Sequence, residues 1–92
     1  MHTVRPILIR QISLMLVELR AKQPTPGSLE FCLANNLHNY LNAVKSARKP
    51  SDIRYASRLF THFCIDSLDY QSATFQKCIK IANTGLQLNC AS

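Results

Sequence analysis

The sequence predicts a mainly α protein, a compact bundle of about four helices with room for a short strand at the N- or C-terminus. Three observations carry this. Apolar residues recur three and four positions apart through four segments, the spacing that lines one face of a helix. Breakers separate them: "QPTPGS" at 23–28 and Pro50 within "KSARKPSD". Apolar residues make up 47% of the 92, enough for a single core, so 1–92 reads as one compact domain.

In the first segment Leu8, Ile12, Met15, Leu16 and Leu19 recur at helical spacing, with Thr3 as a candidate cap and Pro6 in the opening turn, where a missing N–H costs little. Ile7, Ile9, Leu14 and Val17 make the segment apolar nearly all round, which predicts a helix packed on several sides. β-branched residues are frequent over 3–12, so a strand competes there; helix is the expectation.

Ser28 is a good N-cap for the second helix, with Glu30 in its first turn. Leu29, Leu33, Leu37, Tyr40, Leu41 and Val44 form its inward stripe, while Asn35, Asn39, Asn42 and Ser46 lie along another line, with Asn36 and His38 beside it. Asparagine is a mediocre helix former, so this line reads as a hydrogen-bonding or solvated face. Pro50 ends that helix and Ser51 with Asp52 starts the next, whose stripe is Ile53, Ala56, Leu59, Phe60, Phe63 and Cys64. Arg54, Arg58 and His62 share the opposite face at i, i+4, i+8. A fourth helix begins near Asp69 with Ser72 in its first turn. Phe75, Cys78, Ile79 and Ala82 make its stripe, and Gly85 reads as its stop, with 86–90 continuing as a tail or strand.

Charge points to function more than any motif does. The net charge is +6, and the stretch "KSARKPSDIRYASR" holds five of the 11 Lys and Arg against one carboxylate. Cations closing a helix favour its dipole, which accounts for Arg48 and Lys49; Arg54 and Arg58 open a helix, where the dipole is mildly unfavourable to them. That asymmetry predicts a docking patch on one exterior surface for phosphates or an acidic partner. Its principal contacts are Lys45, Arg48, Lys49, Arg54 and Arg58, with Tyr55 placed to stack on a base or an arginine. Asn35, His38 and Asn39 are secondary hydrogen-bonding candidates, and Lys77 and Lys80 extend the patch if the last helix folds beside it.

Other chemistry is not signalled. Both glycines sit at turn-like positions rather than in a phosphate loop, and the only carboxylates close in sequence, Asp66 and Asp69, read as caps. No activated nucleophile pattern exists, so the expectation is a binding protein and not an enzyme, with no cofactor. The chain has no Cys-x-x-Cys and no His-x-x-x-His, and His62-x-Cys64 points its two members to different helix faces, so Cys32, Cys64, Cys78 and Cys90 are not expected to hold a metal. Without a secretion signal they are expected to be free thiols in the cytoplasm, and no run is apolar enough to span a membrane.

A small basic chain with no catalytic motif, a compact hydrophobic pattern and the "KSARKPSDIRYASR" patch resembles the small phage anti-CRISPR proteins, particularly inhibitors of type I-F surveillance complexes. That family shares no motif, so the resemblance carries over no residue. It implies a stoichiometric inhibitor in the host bacterial cytosol. Its partner would be a multi-subunit ribonucleoprotein, engaged through protein surface and RNA phosphates so that target-DNA hybridisation is blocked. The alternative is a helical DNA-binding regulator, with Arg54, Tyr55 and Arg58 entering a major groove.

Overall fold

A computed structural model of the chain describes residues 4–68 and 71–86. Four helices account for most of them: α1 (Val4–Ala21), α2 (Leu29–Ser46), α3 (Pro50–Ser67) and α4 (Ala73–Leu86). The first segment is therefore helix throughout its described length, and its strand alternative is not realised. The Thr3 cap, Asp69 itself and the tail beyond Leu86 with Cys90 lie outside the described residues. The last helix begins at Ala73 rather than near Asp69, so Ser72 precedes its first turn instead of lying in it.

Each boundary has a local cause. α1 stops where Gln23 takes a left-handed φ of 49°, and the following turn needs Gly27 at φ 86°. The Ser28 hydroxyl accepts the Phe31 N–H at 3.2 Å and starts α2. α2 ends at Ala47, whose N–H bonds to the Val44 carbonyl and whose own carbonyl accepts from the Arg5 guanidinium, tying the start of α1 to the end of α2. Pro50 opens α3 at the position where its missing N–H is harmless. Ser72 caps α4 by accepting the Phe75 N–H at 3.0 Å.

Short connections force successive helices to run antiparallel. Tyr40 meets both Ser57 and Phe60, joining α2 to α3, and Gly85 lies against Ser57, joining α4 to α3. Glu18 and Lys77 bridge α1 to α4 and close the ring. The result is a four-helix bundle, in which each helix packs on its two neighbours around one core. Leu8, Ile12, Leu33, Leu37, Val44, Ile53, Cys64 and Cys78 are its largest fully buried apolar side chains. No described helix is long and apolar enough to cross a membrane.

Three sequence expectations change. Gly85 is not a stop: it is buried inside α4, and a Cβ there would come within 2.0 Å of the Ser57 hydroxyl oxygen and 2.8 Å of that of Tyr40. Leu29 and Leu59, read as inward-facing, are exposed. α1 is not packed on several sides, because Ile7, Leu14 and Val17 face outward.

Candidate anion-docking interface

The connection between α2 and α3 is only three residues, so the last turn of one helix and the first turns of the next stand at the same end of the bundle. Lys45, Arg48, Lys49 and Arg58 are all exposed there, and Arg54 is half-buried. None of the five is ion-paired among the described residues. The nearest acid in sequence, Asp52, spends an oxygen on the Arg48 backbone N–H at 3.3 Å. Glu18 is bound to Lys77 at the other end. The α2–α3 end thus carries a net positive charge, five cations against the single carboxylate of Asp52.

Helix pitch decides how the cations are spread. Successive residues turn by about 100°, so Lys45 shares a stripe with His38, which lines a groove beside α1 with Arg20 and Phe31. Arg54 is three residues before Ser57, the residue that meets α4, so it leans toward α4. Its Nε is screened from solvent and has no hydrogen-bond partner among the described residues. Arg58 lies farther out on the same side. The cations therefore wrap the hairpin end, from Lys45 over Arg48 and Lys49 to Arg54 and Arg58, rather than standing on one flat surface.

The outward face of α3 adds an aromatic. Tyr55 is 65% exposed, and Leu59, one turn on, is 54% exposed. Leu59 also lines a groove of about 230 Å³ between α2 and α3, with Asn36, Asn39, Ala43 and Ala56. Sequence reasoning placed Asn39 among the candidates but missed Leu59, because a leucine at helical spacing reads as core. Asn35 and His38 do not join this groove: they line the one beside α1. Lys77 and Lys80 lie on α4 beside α1, and Lys77, in the second turn of α4, pairs with Glu18 toward the far end from the α2–α3 connection.

Beneath the groove, the Tyr40 hydroxyl is 2.5 Å from the Ser57 hydroxyl, and its ring stacks on Phe60 with centroids 5.0 Å apart. Burial pushes the Tyr40 phenol up to about 12, against a smaller opposing effect of the Ser57 hydrogen bond. Cys64 and Cys78 are fully buried thiols hydrogen-bonded to each other. That bond, reinforced by burial, holds the Cys78 thiol above its usual range. A thiol kept protonated inside a core packs as a small hydrophobe. Among the described residues no three His, Cys, Asp or Glu side chains gather as metal ligands.

Comparison with protein-family models, curated proteins and solved structures finds no match for this chain.

Proposed function

We propose that this protein is a stoichiometric inhibitor that docks, through the α2–α3 end, on a multi-subunit ribonucleoprotein of the guide-RNA CRISPR type. There it meets acidic protein surface and RNA phosphates, and by occupying them blocks hybridisation of target DNA. It works by binding alone, in the host cytoplasm. One observation carries the reading: Lys45, Arg48, Lys49, Arg54 and Arg58 gather at one end without a carboxylate partner among the described residues. A wrapped end suits a concave or channelled partner better than a flat one, since phosphates can approach from several sides. Tyr55 and the Asn36–Asn39–Leu59 groove supply a stacking and hydrogen-bonding edge beside the charge.

The helix-turn-helix alternative gains nothing from the geometry. That motif sets its two helices at about 90–120°, whereas α2 and α3 lie antiparallel along the bundle. Affinity capture from a CRISPR-bearing host lysate, with and without nuclease, tests the proposal. The expected result is recovery of an intact ribonucleoprotein by the wild-type chain and its loss with R48E/K49E/R58E, three exposed positions whose reversal leaves the core untouched. Equal recovery by both would sink it, as would tight binding to free duplex DNA in place of the complex.

A further inference from the structure

α1 carries more apolar surface than the bundle covers. Ile7, Leu14 and Val17 are 52%, 57% and 66% exposed. With Arg10 they fall at positions 7, 10, 14 and 17, the alternating three-and-four spacing of a helix–helix seam. One edge of this seam opens into a groove of about 220 Å³ between α1 and α4, floored by Leu14, Met15 and Ile81 and flanked by Lys77 and Lys80. The groove exists because α1 and α4 meet less extensively than the other neighbouring pairs.

We propose that this groove docks an acidic amphipathic helix of a partner protein, laid along α1 as a fifth helix of the bundle. The seam spacing calls for a helix, because residues at three-and-four intervals interdigitate with an identical pattern opposite. Charge sets the sign of the partner. Arg10 stands in the seam and Lys80 at its edge, both exposed, and the one carboxylate beside them, Glu18, is held by Lys77 at 3.2 Å. Partner carboxylates flanking an apolar stripe would meet Arg10 and Lys80 while the stripe covers Leu14 and Val17. A second copy of the chain fits less well, since pairing α1 with α1 would bring two such cationic flanks together. A lipid surface fits less well too, because Arg10 interrupts the apolar line that would have to enter it. The groove at Leu14, Lys77 and Lys80 lies away from the α2–α3 end and does not depend on what that end binds.

The test uses a synthetic helical peptide of about 21 residues, three heptads, with Leu at the seam positions and Glu at the flanking ones. A matched peptide with Lys replacing Glu, phosphatidylglycerol vesicles and sedimentation of the chain alone complete the set. The Glu peptide should bind one to one and move the amide resonances of α1 and α4. L14D or K80E should weaken it by about tenfold or more, as expected for loss of a central anchor, with the circular dichroism of the chain unchanged. R48E/K49E/R58E should bind it as the wild type does. Four results would overturn the proposal: equal binding of the Lys peptide, no binding of either peptide, loss of vesicle association with L14D, or a dimer of the chain abolished by L14D.

Discussion

At the scale of single residues, Tyr40, Ser57 and Gly85 decide how α2, α3 and α4 close on one another. Ser57 is the buried polar side chain at that junction, and it is satisfied by Tyr40. Gly85 fits there only because it lacks a Cβ. Gly85→Ala tests this directly. Helix propensity alone would make alanine better by about 0.5–1 kcal/mol, but overpacking a filled core costs about 1–3 kcal/mol, so the variant should be destabilised. The loss measured by denaturant unfolding should shrink in a Ser57→Ala background, where the closest clashing atom is gone. Tyr40 gives a second test. Its folded pKa, about 12, lies above the ordinary 10, so the folded state holds a proton that the unfolded state has released. The stabilisation is complete below pH 10 and is lost as pH rises to 12, a fall on the order of 2–3 kcal/mol from this group. Tyr40→Phe should lose that part of the alkaline decline. It should also be less stable at neutral pH by about 1–3 kcal/mol, because the Ser57 hydroxyl is left buried and unpaired.

At the scale of elements, the starts of α2 and α3 were legible because their signals are chemical as well as periodic. Ser28 supplies a cap oxygen, and Pro50 marks the break, although it opens α3 where the sequence pattern has it end α2 and Ser51 with Asp52 begin the next helix. Ser28→Ala should cost about 1 kcal/mol in thermal or urea unfolding, whereas Ser28→Gly should cost only a few tenths. Elsewhere one pattern admits two readings. Gly85 near a helix end looks like a cap, yet close approach of a neighbouring helix demands the same residue, and only the position of Ser57 separates the two. α1 is apolar around most of its circumference, and periodicity cannot say whether a third partner exists; among the described residues none does, and Ile7, Leu14 and Val17 are exposed. Leu59 failed for the related reason that a wide stripe has edges, and its edge opens to a groove. For the candidate site, nearness in sequence across a three-residue connection was enough to bring the cations to one end. It was not enough to orient them, because each side chain's direction follows from helix pitch and from which neighbour each helix flank meets.

At the scale of the whole molecule, charge is segregated by the fold. Of the four carboxylates on α1, α2 and α3, Glu18 is paired with Lys77 at the far end, and Asp52 alone stands at the hairpin end, so that end keeps a net positive field. A field of this kind makes association depend on salt, with each released phosphate counterion adding about 0.7 to the slope of log affinity against log salt for single-stranded nucleic acid. The most direct measurement is titration of a purified type I-F guide-RNA complex with the wild-type chain and with R48E/K49E/R58E across a range of salt. The wild type should bind one to one, with affinity falling steeply as salt rises, and should suppress target-DNA hybridisation in proportion to occupancy. The reversed chain should bind at least about tenfold more weakly with a slope flatter by about two, as expected if each lost cation had neutralised one phosphate. Equal affinities and equal slopes for the two chains would contradict a docking role for the α2–α3 end.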